Sequence, residues 1–221
     1  GEHVIISKDC YGGVFRLFND VIRHFGVEVS FVDLKNLDRV RDVLQPNTKC
    51  IWAESPTNPL LRLVDIKALS IIANESDAFL VLDNTFCSPI LQKPLDLGAH
   101  IVVHSLSKYV NGHSDVLGGA VITKNKKLGD RIHFLTNALG IGSPAFDSWL
   151  ILRGIKTLKV RYSHQQKTTQ TVAEWLQDHL KVKRVIYPGL PSHPDHELAK
   201  RQPKGFGAVI TFEVDGGKEG A

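Results

Sequence analysis

The feature of this sequence that most constrains its fold is a repeated pattern, in which a short apolar run ends in a polar cluster and a segment with helical spacing follows. Residues 50–53 form one such run and lead into the polar cluster 54–59, after which residues 65–75 place apolar side chains at three- and four-residue intervals. Similar apolar runs lie at residues 4–6, 27–32, 79–82 and 101–103. The pattern predicts alternating strands and helices, with a mostly parallel sheet covered on both faces.

The pattern changes in the second half of the chain. Residues 118–123 predict one more strand of the first sheet, for which an antiparallel direction is open. Residues 146–180 then have helical spacing, typical of one long or kinked helix or of two consecutive helices. The apolar runs 185–189 and 208–214 predict strands of a different sheet. We therefore expect an α/β domain over residues 1–160, and the beginning of a smaller α+β domain over residues 161–221.

Composition excludes several classes of protein. The 221 residues are 43% hydrophobic and 23% charged, which is typical of a globular protein. The net charge of +4 is mild, and no basic run suggests nucleic-acid binding. No apolar run approaches the roughly 20 residues that cross a bilayer. Three scattered cysteines indicate neither a disulfide framework nor a thiolate metal site, and favour a reducing, cytoplasmic setting.

Polar residues follow three of the predicted strands, where ligands bind in open α/β sheets. These residues are Asn58, Asp83, and the group of Ser105, Ser107 and Lys108. A lysine directly after a buried strand must be solvated, paired or used chemically, and in a partly dry pocket its pKa falls so that the neutral amine can react with a carbonyl. Pyridoxal phosphate requires such a lysine, together with a carboxylate opposite its ring nitrogen.

The remaining requirements of that cofactor also have candidates. Asp83 is suited to the ring nitrogen, and the hydroxyl groups of Ser105 and Ser107 are suited to the phosphate. Tyr11 could stack on the ring, because Gly12 and Gly13 after it allow the backbone to approach closely. Each residue alone has a more common structural explanation, such as a helix cap, a surface lysine or a rim aromatic. The hypothesis depends on their joint placement.

Two other interpretations compete with this one. Residues 105–108 match the S-x-x-K motif of serine β-lactamases, but the K-T-G motif that accompanies it is absent from the sequence. The acidic and histidine-rich segment 193–197 could suggest a metal site. Its proline, and the lack of an H-E-x-x-H spacing, instead favour a turn at the start of a helix, and we predict no metal.

Beyond these single residues, the chain resembles the fold-type I pyridoxal-phosphate enzymes of cysteine and methionine metabolism, the trans-sulfuration family. The resemblance covers essentially the whole chain. It rests on the segments 9–13, 54–59, 81–86, 103–109, 111–115, 152–158 and 188–194. It implies a three-layer large domain, similar to that of aspartate aminotransferase, and part of a C-terminal domain.

The resemblance also implies a role for each matching residue. The lysine that matches Lys108 binds the cofactor covalently and later moves protons, and the tyrosine that matches Tyr11 stacks on the ring and is counted as catalytic. Asp83 matches the residue that pairs with the ring nitrogen, and Asn58 matches an asparagine near the ring oxygen and the substrate carboxylate. The serines that match Ser105 and Ser107 bind the phosphate. Ser107 replaces a more common threonine but retains the hydroxyl group.

Within the family, residues 111–115 are similar to those of enzymes that form or cleave cystathionine, and residues 201–207 are closer to bacterial enzymes that form it. This implies γ-replacement on O-succinylhomoserine by cysteine. The alternatives are γ-elimination from cystathionine or methionine, and an inactive fragment.

The resemblance further implies amino-acid substrates and a homotetramer of active-site-sharing dimers. The sequence contains no methionine, so we expect Gly1 not to be the start of the gene product. An N-terminal arm with a phosphate-binding arginine would precede Gly1, and the arginine for the substrate α-carboxylate would follow Ala221. We therefore expect little turnover from these 221 residues alone.

Overall fold

A six-stranded sheet forms the centre of the fold in the computed structural model, which describes residues 1–216. Its strand order is β2-β1-β3-β4-β5-β6; the first five strands are parallel, and β6 is antiparallel to β5. The strands are β1 (His3–Ser7), β2 (Glu28–Val32), β3 (Thr48–Glu54), β4 (Phe79–Asp83), β5 (Ile101–Ser105) and β6 (Gly119–Ile122). The predicted α/β class and mostly parallel sheet are confirmed. The direction of β6, which the sequence left open, is antiparallel.

Eight α-helices accompany the strands in the described part of the chain. They are α1 (Gly12–Arg16), α2 (Leu37–Asp42), α3 (Ile66–Glu75), α4 (Ser88–Leu91), α5 (Lys126–Ala138), α6 (Ala145–Ile155), α7 (Leu158–Gln177) and α8 (His196–Arg201). A π turn over Leu17–Val21 and a 3-10 turn over Ile22–Phe25 continue α1. Another 3-10 turn covers Pro94–Leu97. No helix in residues 1–216 has the length and apolar character needed to span a membrane.

The apolar strands are packed on both faces of the sheet, as their near-continuous hydrophobicity predicts. Ile5, Ile51 and Leu80 lie in one core with side chains of α2 and α3. Val4 and Ile6 point to the opposite face and pack with partly buried side chains of the segment that begins at α1. The strands are therefore fixed in register, and their carboxyl ends meet along one edge of the sheet.

The region 146–180 forms two consecutive helices, α6 and α7, which was one of the two predicted arrangements. The helices are separated at Lys156 and Thr157, just after Gly154. A two-stranded antiparallel sheet follows, formed by β7 (Val182–Ile186) and β8 (Thr211–Val214). The second sheet was predicted, although β7 begins earlier than expected and β8 begins later.

The segment between these two strands is hydrogen-bonded to the chain that connects β3 with α3. Gln202 accepts a hydrogen bond from the backbone N–H of Ile66 at 3.0 Å and donates one to the carbonyl of Val64 at 3.1 Å. The Asp195 carboxylate accepts from the backbone N–H of Leu63 at 3.0 Å. The proposed boundary near residue 160 lies inside α7, and the division into two domains stays a prediction.

Candidate active site

A pocket of about 220 Å³ lies at the carboxyl ends of the parallel strands. All of the residues predicted for the cofactor site line it: Tyr11, Asn58, Asp83, Ser105, Ser107 and Lys108. These residues come from segments after β1, β3, β4 and β5, and the sheet topology brings them together as expected for an open α/β fold. The pocket also contains side chains that the sequence interpretation did not assign: Glu54, Pro56, Thr85, Phe86 and Leu117.

Tyr11 immediately precedes α1 and is 54% exposed. Its ring lies close to Gly13, where an added Cβ would be 2.5 Å from ring atom Cε1. A side chain at position 13 would therefore displace the ring. Gly13 therefore makes room for the Tyr11 ring, and the expected close approach of the backbone to the cofactor stays a prediction.

Asp83 ends β4, and its Oδ1 atom is held by Thr85. Thr85 donates to this oxygen from its backbone nitrogen at 2.9 Å and from its hydroxyl at 2.6 Å. The same hydroxyl oxygen accepts from the backbone N–H of Ser105 at 2.8 Å. The carboxylate is thus fixed between β4 and β5, and its Oδ2 atom can accept from a ligand. Asp–x–Thr is a local turn pattern that could have identified Thr85 from the sequence.

Ser105, Ser107 and Lys108 lie at the end of β5 and in the turn that follows. Ser105 and Ser107 are half-buried, and the Ser107 hydroxyl oxygen accepts from the backbone N–H of Gly118 at 2.9 Å. Lys108 is exposed at the rim of the pocket. In this chain the Lys108 side chain is therefore open to solvent and not enclosed in a partly dry pocket.

The backbone after Lys108 is held by α6 and α7. Arg161 of α7 donates from Nη1 to the carbonyl of Tyr109 at 3.0 Å and from Nη2 to the carbonyl of Gly154 at 2.9 Å. Gly154 of α6 packs so closely that an added Cβ would lie 2.2 Å from the carbonyl oxygen of Asn111. The turn that positions Lys108 therefore depends on a side-chain-free position in α6.

We expect Gly154→Ala to lower the free energy of unfolding. Overpacking against the backbone costs about 1–3 kcal/mol. Alanine has a higher helix propensity than glycine by roughly 1 kcal/mol, and this gain is smaller than most of the expected cost. Gly142 is a suitable control, because an added Cβ there meets nothing within 4 Å. Urea unfolding followed by circular dichroism measures both variants, and equal stability of Gly154→Ala and Gly142→Ala would contradict the close-packing explanation.

Glu54 lies beside Asp83, its partner in the parallel register of β3 and β4, and is only 6% exposed. Burial raises the pKa of Glu54 to about 8, and the negative charge of Asp83 adds to this effect. Backbone N–H groups of Tyr11 and Asn58 donate to the carboxyl group and act in the opposite direction, but they do not outweigh burial. The net result is a pKa well above that of an ordinary glutamate.

A second cavity, of about 520 Å³, shares part of its lining with the first. It shares Phe86, Ser107, Lys108 and Leu117 with the first pocket, and its further lining includes Ser114 and Gln165. Lys108 thus faces two adjoining spaces, one of which contains the other predicted cofactor residues.

The segment 193–197 leads into a helix, as the sequence analysis favoured. His196 begins α8, and the Nδ1 atom of His193 accepts a hydrogen bond from the backbone N–H of Asp195 at 3.0 Å. Asp195 forms a salt bridge with Lys35. These groups tie the C-terminal region to the segment after β2.

The model of the Cys/Met metabolism PLP-dependent enzyme family matches residues 1–221, the whole chain. The chain belongs to this family. The PLP-dependent chemistry of the family agrees with the expected cofactor, and the competing β-lactamase interpretation of residues 105–108 is wrong.

Similar proteins in the family have several activities. The chain is 47% identical over 221 residues to a probable cystathionine gamma-synthase of Herpetosiphon aurantiacus, covering 100% of this chain and 69% of that protein. It is 47% identical to a cystathionine beta-lyase of Coxiella burnetii, covering 97% of this chain and 56% of that protein. The structure of cystathionine gamma-lyase from Lactobacillus plantarum, complexed with L-serine, has a TM-score of 0.96 at 45% identity, covering 98% of this chain and 57% of that chain.

Proposed function

We propose that these residues form the larger part of the cofactor site of an enzyme that makes cystathionine from O-succinylhomoserine and cysteine. The observation that supports this most strongly is the convergence of Lys108, Asp83 and Tyr11 in one pocket with hydroxyl and amide side chains. Because the chain spans 56–69% of the length of the curated relatives described above, the activity is proposed for the whole protein.

The residues present fit pyridoxal phosphate. Asp83 Oδ2 can accept a hydrogen bond from the ring nitrogen, and Tyr11 offers an exposed aromatic face. The hydroxyls of Ser105 and Ser107 can donate to phosphate oxygens, and the exposed amine of Lys108 can bind the aldehyde carbon. When bound, the cofactor withdraws electrons from the substrate carbon next to the amino group.

The residues of this chain then have distinct tasks. Lys108 accepts the proton from the substrate Cα and returns it, since its amine lies between the two adjoining cavities. Asp83 holds the cofactor ring in one orientation, because Thr85 and the backbone of Ser105 fix the carboxylate. The Asn58 side chain, exposed at the pocket, binds the substrate carboxylate.

The second cavity suits the part of the substrate beyond the reacting carbons. It extends from Lys108 to Ser114 and Gln165 and is larger than the cofactor pocket. The Oε1 atom of Gln165 is buried without a hydrogen-bond partner in the described residues, so it can accept from a substrate group. A succinyl ester, or cysteine as the second substrate, would occupy this space.

Elimination is the second candidate, because the relatives include a gamma-lyase and a beta-lyase. Both reactions begin with removal of the Cα proton, so Lys108 would serve either.

The test compares two reactions of the purified whole protein, for which the activity is proposed, after loading with pyridoxal phosphate. One sample receives O-succinylhomoserine and cysteine, and the other receives cystathionine alone. We expect cystathionine and succinate from the first, at a rate at least about tenfold above the release of 2-oxo acid from the second, a difference of roughly 1.4 kcal/mol in barrier. Faster reaction of cystathionine would contradict the synthase assignment and support a lyase.

We also propose a homo-oligomer, and specifically a dimer of dimers, located in the cytoplasm. The described helix α5 buries none of its side chains, and exposed apolar residues continue into α6; examples are Phe134, Leu139, Phe146 and Trp149. Such a surface is typical of an interface.

The three cysteines are unpaired, which fits a reducing compartment.

A further inference from the structure

Glu54 connects two loops of the pocket through a single carboxyl group. Its Oε2 atom accepts from the backbone N–H of Tyr11 at 2.7 Å, and its Oε1 atom accepts from the backbone N–H of Asn58 at 3.1 Å. Tyr11 follows β1 and lies 43 residues before Glu54, whereas Asn58 follows β3 and lies four residues after it. The carboxyl group therefore joins the loop after β1 to the loop after β3. Each oxygen has one donor.

We propose that Glu54 is a positioning residue of the cofactor site, which fixes the Tyr11 ring and the Asn58 side chain by holding the backbone of both residues. The inference rests on the proposed function, because it assumes that these two side chains meet the cofactor and substrate. Glutamine has only one acceptor oxygen and cannot replace both contacts. Aspartate is one methylene shorter and cannot keep the same reach from the end of β3.

Several charged or titratable groups surround this carboxyl group. Asp83 lies beside it on β4, and Asp9 and Cys10 lie in the loop after β1. Lys108 lines the same pocket from the turn after β5. Because burial and Asp83 raise the pKa of Glu54 to about 8 from 4.5, the folded state holds a proton on Glu54 that the unfolded chain releases. The contribution to stability is fully present below pH 4.5 and is lost as the pH rises through 8.

The experiment compares the protein with its Glu54→Gln variant by hydrogen exchange and by titration with pyridoxal phosphate. We expect faster exchange in peptides that contain Tyr11 and Asn58, because one of the two backbone donors loses its acceptor. We expect the dissociation constant for pyridoxal phosphate to rise about tenfold, which corresponds to the loss of about one hydrogen bond between a backbone N–H and a charged group. The loss of stability between pH 5 and 9 should also be smaller in Glu54→Gln than in the parent. Glu54→Asp provides a second variant if Glu54→Gln does not fold.

Asp195→Asn is the matched control. Asp195 is also a buried carboxylate that accepts from a backbone N–H, that of Leu63, but it does not line the pocket. This variant should lose stability, while its affinity for pyridoxal phosphate and its exchange at Tyr11 and Asn58 stay at the parent's values.

Each outcome decides one of the two claims. Unchanged exchange at Tyr11 and Asn58 in Glu54→Gln overturns the positioning role, and so does an unchanged dissociation constant in a parent that binds the cofactor. A parent that does not bind pyridoxal phosphate overturns the proposed function, and the exchange measurement then still tests whether Glu54 holds both loops.

Discussion

In the whole protein, Lys108→Ala is expected to abolish covalent binding of pyridoxal phosphate and to lower turnover at least about 10³-fold, within the range for loss of a general acid–base residue. The visible absorbance band that the loaded protein acquires should be missing. The lysine side chain is exposed and lies at the rim of the pocket, so its removal should change the free energy of unfolding by less than about 0.5 kcal/mol. A large loss of activity without loss of stability is the signature of a functional group.

The matched control for this variant is Lys49→Ala. Lys49 is a surface lysine that pairs with the exposed Asp77 at 3.3 Å, and it does not line the pocket. It should retain the absorbance band and the parent's turnover. If Lys108→Ala and Lys49→Ala both keep the absorbance band, another lysine binds the cofactor and the assignment of Lys108 is wrong.

Asp83→Asn is expected to have the second-largest effect. The substitution keeps an oxygen that can accept from Thr85, but it removes the negative charge that would face the cofactor's ring nitrogen. We expect turnover to fall on the order of 10²-fold, as for the loss of other preorganised electrostatic groups. Circular dichroism and urea unfolding should show a folded protein, because the hydrogen bonds between β4 and β5 persist.

Asp96→Asn provides the control for a surface charge. Asp96 forms an exposed salt bridge with Lys124 at 2.7 Å, and such pairs contribute about 0–1 kcal/mol. Its turnover should equal the parent's. Steady-state rates that fall equally in the Asp83 and Asp96 variants would contradict a specific role for Asp83.

The sequence predicts the sheet and the pocket well because both follow from local patterns. Each apolar run became a strand, and the polar residues directly after those strands met at one edge, where parallel strands must bring them. The sequence alone thus predicts that Lys108 and Asp83 lie at the same edge of the sheet. The antiparallel direction of β6 depends on its pairing with β5, which a local pattern does not decide.

Helix α5 and Glu54 show what the sequence does not reveal. Helix α5 buries none of its residues, so its apolar side chains are not tied to a core within the described residues. Glu54 forms one contact with Tyr11, 43 residues away, and such a pairing exists only after β1 and β3 are adjacent. Its burial beside Asp83 likewise arises from the register between β3 and β4.

The central claim is that Lys108 binds the cofactor in the pocket at the end of the sheet. The most direct test is borohydride reduction of the protein loaded with pyridoxal phosphate, followed by proteolysis and peptide mass spectrometry. We predict that the pyridoxyl group is found on the peptide containing Lys108, and on no other lysine in stoichiometric amount. Attachment to a different lysine, or no attachment in a folded sample, would contradict the account.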